Sequence, residues 1–244
     1  FEADREELLD SMQENGIGRI VNACASLESL KDTESLMEKY PFVYGAFGIH
    51  PDDADKMTEE TLEEIRKLCK LSKAVAVGEI GLDYYWHKEE HEHEIQKKMF
   101  RAQMEIAREA QMPFMIHSRE AAKDTLDIVK DCMKGGMYGG IIHCFSYAKE
   151  MAREYLDMGL YLGIGGVVTF KNAKKLKEVV EYAPLAQIVL ETDSPYLSPE
   201  PNRGKRNDSR NLVYVAREIA RIKGVTEEEV IAVTEGNAER LLLR

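Results

Sequence analysis

Short apolar runs alternate with segments of helical spacing along the whole of this 244-residue chain. We predict seven strands, at residues 18–25, 42–48, 74–78, 113–117, 140–144, 160–165 and 187–191. Most of these runs are β-branched or aromatic and apolar on both faces, which is typical of parallel strands buried between two layers. Helical spacing separates them, for example at Ile95, Met99, Ala102, Ile106 and Ala110. This alternation favours a parallel sheet and an α/β fold.

The length of the chain favours a barrel among the parallel α/β folds. A (β/α)₈ barrel typically takes roughly 250 residues, so we predict one such domain over residues 1–244. An open, doubly wound sheet is the alternative that the pattern leaves open. The chain begins on a segment with helical spacing, and a barrel of only seven strands would have two unpaired edges. We therefore expect a (β/α)₈ TIM-type barrel whose first strand is apparently missing from this chain.

Composition and charge argue against several functional classes. The longest nearly unbroken apolar stretch, 161–170, is well short of the roughly 20 residues that span a bilayer, so no membrane role is expected. The four cysteines are far apart and form no CxxC pair, which predicts a reducing, cytoplasmic setting. The formal net charge of −11 opposes broad electrostatic binding to nucleic acid. Any bound polyanion is therefore expected to be held locally.

Four residues of metal-ligand type lie where predicted strands end. They are Glu79, His117, His143 and Asp193. Any one of them is more often a structural residue, but the C-terminal ends of barrel strands converge on one mouth, where active sites lie. Two imidazoles and two carboxylates suit a divalent ion such as Zn, Mn, Co or Mg. The sequence therefore predicts a divalent-metal site at these strand ends.

Two further residues near those strand ends are candidates for holding an anion. His50 follows the second predicted strand, and the alternative is a loop histidine steadied by Pro51. Arg119 lies just beyond the fourth predicted strand, and its planar guanidinium suits bidentate contact with a phosphate. The alternative for Arg119 is a surface ion pair with Glu120 or Asp124.

Two loops could contribute to binding as well. The segment 201–210, which includes Arg203, has four basic residues and one acid, a local reversal of the overall charge. We interpret it either as a rim that attracts phosphates or as an ordinary solvated loop. Asp83, Tyr84 and Tyr85 could line the mouth, where the aromatic rings could stack on a base. A packed loop is the default interpretation of these three residues.

Five segments of the chain resemble the TatD family of metal-dependent deoxyribonucleases, which belongs to the amidohydrolase-like barrels. They are FGIHPDDA (47–54), VGEIGLDYYW (77–86), MPFMIHSREA (112–121), IIHCFS (141–146) and LETDSPYLSPEPNRGKRN (190–207). The resemblance extends over essentially the whole chain. It implies a barrel fold and hydrolysis of phosphodiester bonds by a deoxyribonuclease of the 3'-5' exonuclease type.

The resemblance also implies two divalent metal ions and a role for each candidate residue. Glu79 would bridge the ions, His117 and His143 would bind one, and Asp193 would bind the other. Asp193 would orient the attacking water or take its proton, while His50 and Arg119 would steady the phosphate. The family pattern includes an HxH pair at the end of the first strand, and this sequence does not contain it. We expect that pair on a strand preceding these residues.

Two other functions remain open at this point. One is an amidohydrolase or deaminase that acts on a small C–N substrate with the same barrel and metals. Binuclear members of that group often have a carboxylated lysine as the bridge, whereas this chain has Glu79, so a phosphoesterase is favoured. The other is a non-catalytic barrel that lacks a complete metal site. The expected partner is DNA or another phosphodiester, and the oligomeric state is left open.

Overall fold

The computed structural model describes residues 1–243, which divide into two compact units. The first unit consists mainly of Val21–His143. The second unit consists of Phe1–Ile20, Cys144–Leu156 and Tyr161–Arg240. The prediction of one domain over 1–244 stays a prediction.

The seven strands coincide with the seven apolar runs. They are β1 (Ile20–Ala23), β2 (Val43–Ala46), β3 (Ala74–Asp83), β4 (Phe114–Arg119), β5 (Gly140–Ile142), β6 (Tyr161–Ile164) and β7 (Ile188–Leu190). The helices are α1 (Arg5–Asp10), α2 (Leu27–Lys39), α3 (Glu59–Leu68), α4 (Glu90–Glu109), α5 (Ala122–Met133), α6 (Lys149–Asp157), α7 (Lys174–Tyr182), α8 (Leu212–Lys223) and α9 (Glu227–Leu242). Among residues 1–243, no helix combines the length and apolarity that crossing a bilayer requires.

The first unit is a parallel sheet with helices following its strands. Its strand order is β1-β2-β3-β4-β5, and the β2–β3, β3–β4 and β4–β5 pairings are parallel. Capping boxes start α2 and α3, where Ser26 and Thr58 each accept a hydrogen bond from the backbone three residues ahead. Strand β3 is buried along almost its whole length, as a central parallel strand should be.

The pairing of β3 with β4 sets the geometry of the candidate site. Gly81 lies opposite His117 in the register, and a Cβ atom on Gly81 would lie only 1.9 Å from the His117 carbonyl oxygen. Only glycine allows this approach, and its φ of +144° is also one that other residues rarely adopt. Because successive residues of a strand face opposite sides, Glu79 and Asp83 lie on the same face as Gly81. His117 is thereby brought between two carboxylates.

In the second unit, β6 pairs in parallel with β7. Helices α7 and α8 of this unit are joined by an ion pair between Lys177 and Glu218. Helix α8 ends at Gly224, whose left-handed backbone is a common helix terminator.

Candidate metal centre

Glu79 is a mostly buried carboxylate inside β3. The β3–β4 register shifts between Val77 and Ile80, and the peptide bond that precedes Glu79 is cis. The backbone N–H of Glu79 donates to the Cys24 carbonyl at 2.8 Å. The side chain is 15% exposed, so the cost of burying its charge has to be offset by nearby groups.

Three imidazoles surround this carboxylate within the first unit. The Glu79 Oε1 atom lies 2.9 Å from His117 Nδ1, 3.5 Å from His143 Nε2 and 3.9 Å from His50 Nε2. The rings of His50 and His117 meet edge to face, with their centroids 4.3 Å apart. The structure thus brings together four residues that the sequence predicted for the site.

The electrostatics of the cluster keep Glu79 ionised. Burial by itself would raise the pKa of Glu79, but the charges and hydrogen bonds of His143, His117 and His50 outweigh burial and hold the pKa below its usual value. Burial would likewise lower the pKa of His117. Hydrogen bonds to Asp83 and Glu79 oppose this and raise the pKa of His117 to about 9.

Asp83 fixes the orientation of the His117 ring. Its Oδ2 atom lies 3.0 Å from His117 Nε2, and its Oδ1 atom accepts hydrogen bonds from the backbone N–H groups of Tyr85 and Trp86. With Nε2 donating to Asp83, Nδ1 is the ring nitrogen that faces Glu79. The protonated ring donates to Glu79 from Nδ1, and loss of that proton frees the Nδ1 lone pair to bind a cation. A carboxylate behind a histidine is the usual support for a metal ligand. The sequence analysis suggested Asp83 only as a lining residue and missed this contact.

His50 is oriented by the backbone that follows it. It caps the short 3₁₀ helix Pro51–Lys56, and its Nδ1 atom accepts a hydrogen bond from the Asp52 N–H. In the neutral ring the proton therefore lies on Nε2, on the side of Glu79. The Asp52 carboxylate also contacts His87, at 3.1 Å from its Nε2 atom. His50 is thus held by more than the neighbouring proline.

Arg119 stacks on aromatic rings instead of pairing with its acidic neighbours. Its Cζ atom lies 3.9 Å from the Tyr85 ring centroid and 5.7 Å from that of Trp86. Glu120 pairs with Lys88, and Asp124 accepts a hydrogen bond from the Tyr84 hydroxyl. The ion pairs that were the alternative for Arg119 are not formed in residues 1–243.

Asp193 and Arg203 belong to the second unit. Asp193 lies just after β7 with a φ of +55°, and its carbonyl accepts a hydrogen bond from the Tyr196 N–H. It borders a small pocket that is also lined by Glu191 and Cys144. Arg203 stacks on Phe170, with 4.3 Å from its Cζ atom to the ring centroid. Their predicted roles in metal and phosphate binding stay predictions.

The donor atoms of the first unit suit a divalent cation. The candidate ligand atoms of His50, Glu79 and His117 lie within 4.8 Å of one another. His50 can bind an ion through Nε2 only in the form that lacks a proton on that nitrogen. Imidazole nitrogens with a carboxylate oxygen form a borderline set that binds Zn, Mn or Co. The carboxylate support behind His117 adds to this fit. Residues 1–243 thus contain a group of side chains that could hold a metal ion.

Known proteins resemble this chain over nearly its whole length. YabD of Bacillus subtilis (strain 168), an uncharacterized metal-dependent hydrolase, is 43% identical over 242 residues, which is 99% of this chain and 93% of YabD. The 3'-5' ssDNA/RNA exonuclease TatD of Citrobacter rodentium is 31% identical, covering 99% of this chain and 92% of that protein. The family model described as TatD related DNase matches residues 1–243.

A solved structure confirms the predicted fold class. The crystal structure of YJJV, a TatD homologue from Escherichia coli K12, has a TM-score of 0.91 to this chain at 27% sequence identity. The match covers 99% of this chain and 93% of that one. The fold is therefore the parallel α/β arrangement of the TatD-like TIM barrels, and the open doubly wound sheet is set aside. The resemblance seen in the sequence is confirmed, and the chain belongs to the TatD-related DNase family of metal-dependent hydrolases.

Proposed function

We propose that this chain is a metal-dependent deoxyribonuclease of the 3'-5' exonuclease type, which hydrolyses phosphodiester bonds with two divalent ions. The observation that carries the proposal is the buried Glu79 carboxylate within 4 Å of three imidazole nitrogens. The printed name of the Citrobacter rodentium relative, a 3'-5' ssDNA/RNA exonuclease, supports the choice of substrate. A cytoplasmic setting stays a prediction from the cysteine usage.

Four residues are proposed to hold the metal ions. Glu79 would be a ligand of both ions, His117 and His143 would hold one, and Asp193 would hold the other. Magnesium, manganese, zinc and cobalt remain the candidates. When bound, two such ions lower the pKa of a water molecule and stabilise the attacking and leaving oxygens of the phosphodiester.

The side chains around the metal ions bind the substrate and take up the proton of the attacking water. In its neutral form His50 carries a proton on Nε2 and can donate it in a hydrogen bond to a phosphate oxygen. Arg119 and Arg203 supply positive charge for the phosphates. The Asp193 carboxylate accepts the proton of the attacking water. Because the chain carries a net charge of −11, these local contacts are expected to bind a strand end and not the length of a duplex.

The proposal is tested with a single-stranded oligonucleotide labelled at its 5' end. Purified protein is incubated with Mg²⁺, Mn²⁺, Zn²⁺ or Co²⁺, and the products are separated by length. We expect labelled products that shorten one nucleotide at a time from the 3' end, and loss of this ladder in Asp193→Asn. A protein that releases nothing from DNA with any of the four metals, yet hydrolyses small amides, would instead be an amidohydrolase.

A further inference from the structure

Two exposed aromatic rings lie on the loop that follows β3 in the first unit. Trp86 is 64% exposed and Tyr85 is 39% exposed, although the large rings of tryptophan and tyrosine are on average mostly buried. The two rings are nearly perpendicular, with their centroids 4.7 Å apart. Arg119 and Lys88 lie over the Tyr85 ring, while most of the Trp86 surface is open to solvent.

The cation next to these rings is free to meet an anion. Arg119 lies over both rings and forms no ion pair within residues 1–243. By contrast, Arg101 and Arg108 of α4 are paired with carboxylates in the same unit. An aromatic face beside an uncompensated guanidinium suits a planar ring that carries a phosphate.

A single carboxylate links this loop to the metal-binding cluster. Asp83 Oδ1 accepts from Tyr85 N at 2.9 Å and from Trp86 N at 3.2 Å, while its Oδ2 atom lies 3.0 Å from His117 Nε2. The loop and the ring of His117 are therefore held in a fixed relation. A group bound on the aromatic rings would lie close to the candidate metal centre.

We propose that Tyr85, Trp86 and Arg119 form a subsite that stacks one unpaired nucleobase and neutralises the adjoining phosphate. This inference rests on the nuclease function proposed above and assigns the residues that bind one base and one phosphate of its substrate. Stacking on an aromatic ring accepts any base, since every base has a π face. In a duplex the faces of internal bases are covered by their neighbours, so only an unpaired or terminal base fits.

The test uses the intrinsic fluorescence of Trp86, the one tryptophan of the chain. The metal-loaded protein is titrated with a phosphorothioate-linked pentathymidylate, which resists hydrolysis, and with an abasic strand of the same length and charge. A stacked base quenches indole emission. We expect quenching by the thymidylate, no quenching by the abasic strand, and affinity for the abasic strand weaker by about tenfold.

Variants separate stacking from a general effect on the loop. In Trp86→Ala and Tyr85→Ala we expect the KM for single-stranded DNA to rise about tenfold with kcat nearly unchanged, and Trp86→Phe should restore most of the loss. The matched control is Tyr182→Ala on α7, an exposed tyrosine that also has a lysine over its ring. The control should bind and cleave DNA like the unaltered protein.

The possible results separate the two proposals. Equal quenching and equal affinity for the thymidylate and abasic strands, or an unchanged KM in both alanine variants, would overturn the stacking subsite while leaving the nuclease function standing. If the protein cleaves no DNA but still distinguishes the thymidylate from the abasic strand, the nuclease proposal fails and the subsite stands.

Discussion

At the scale of single residues, the state of His117 depends on Asp83. The carboxylate holds the Nε2 atom of the ring, so Nδ1 is the nitrogen left to face Glu79 and, in the proposed site, a metal ion. An amide in place of that carboxylate could donate to Nε2, and the ring proton would then move to Nδ1. Nδ1 would then carry a proton and could not bind a metal ion, although the His117 ring would stay in the same place.

We therefore predict that Asp83→Asn weakens the affinity for Mn²⁺ or Zn²⁺ by about 10- to 100-fold. The affinity is measured by calorimetry or by competition with a chelator. Asp127→Asn, an exposed substitution on α5, is the matched control and should leave the affinity unchanged. Equal affinities in both variants would show that Asp83 does not set the tautomer of His117.

The sequence predicted most residues of the candidate site but not the contact of Asp83 with His117. Glu79, His117, His143 and His50 each follow an apolar run, and the ends of parallel strands meet. That is enough to predict that these side chains converge. The contact of Asp83 with His117 depends on the strand register, because Gly81 has to lie opposite His117. The alternation of side chains along a strand would have placed residues 79, 81 and 83 on one face. We missed this because β3 was predicted to end at residue 78.

At the scale of elements, α4 positions the candidate site through two buried glutamines. Gln103 forms two hydrogen bonds with the backbone of Ile49, the residue before His50, at 2.8 and 3.1 Å. Gln96, two turns earlier on the helix, makes the same pair of bonds with the backbone of Asp83, at 2.9 and 3.2 Å. One helix face thus satisfies polar backbone groups at the C-terminal ends of two neighbouring parallel strands, β2 and β3.

We predict that Gln103→Leu destabilises the protein by about 2 to 6 kcal/mol. Leucine has a similar size, but it leaves a buried N–H and a buried carbonyl without partners, and each costs roughly 1 to 3 kcal/mol. Urea unfolding measures the change. Gln13→Leu replaces an exposed glutamine and should change the stability by less than about 0.5 kcal/mol. A Gln103→Leu variant as stable as this control would refute the role given to α4.

The buried face of α4 shows where apolar spacing misleads. The spacing predicted a stripe of Ile95, Met99, Ala102, Ile106 and Ala110. Of these Ile106 is buried, whereas Ala110 is exposed and the others are half-buried. The face that is fully buried includes Gln96 and Gln103. A glutamine in a helix is normally predicted to be exposed. Here the backbone groups that pair with the two glutamines belong to other segments of the chain, so helical spacing alone does not show that the glutamines are buried.

In the second unit, the Glu218 carboxylate links α7 to α8, and the stability that it contributes depends on pH. Hydrogen bonds from Arg221 and from Lys177, both at 2.8 Å, hold the pKa of Glu218 down to about 2, against an ordinary value of 4.5. A carboxyl whose folded-state pKa is lowered adds stability above its unfolded pKa. That stability is lost as the pH falls from about 4.5 towards 2.

We predict that Glu218→Gln costs about 1 to 2 kcal/mol of unfolding free energy near pH 7. The difference from the unaltered protein should shrink steadily below about pH 4.5, because protonation then removes the same charge. Unfolding by urea at a series of pH values measures both. Glu178→Gln, an exposed position on α7, is the control and should show no such trend. A cost for Glu218→Gln that does not change with pH would contradict this explanation.

At the scale of the whole molecule, the net negative charge limits the number of phosphate contacts that the protein can make with nucleic acid. With a net charge of −11, binding is expected to involve about two phosphate contacts near the candidate site. The affinity for single-stranded DNA should then fall less than about tenfold between roughly 50 and 200 mM salt. A loss of a thousandfold over this range, measured by fluorescence anisotropy, would indicate an extended basic surface instead.

The fold could be predicted more completely than the site because it depends on a repeated pattern. Seven apolar runs predicted seven strands, and each strand lies within or overlaps its run. The residues that matter for chemistry occur once each. Their contacts depend on register and on side-chain direction, which periodicity does not determine.

The central claim is that Glu79 holds the metal ions on which phosphodiester hydrolysis depends. The most direct measurement is the rate at which single-stranded DNA is shortened as Mn²⁺ is added back to EDTA-treated protein, in the unaltered chain and in Glu79→Gln. We predict no cleavage before Mn²⁺ is added, full recovery in the unaltered chain and in the exposed control His91→Ala, and a loss of at least about 100-fold in Glu79→Gln. Cleavage that persists in EDTA, or that Glu79→Gln leaves undiminished, would contradict the claim.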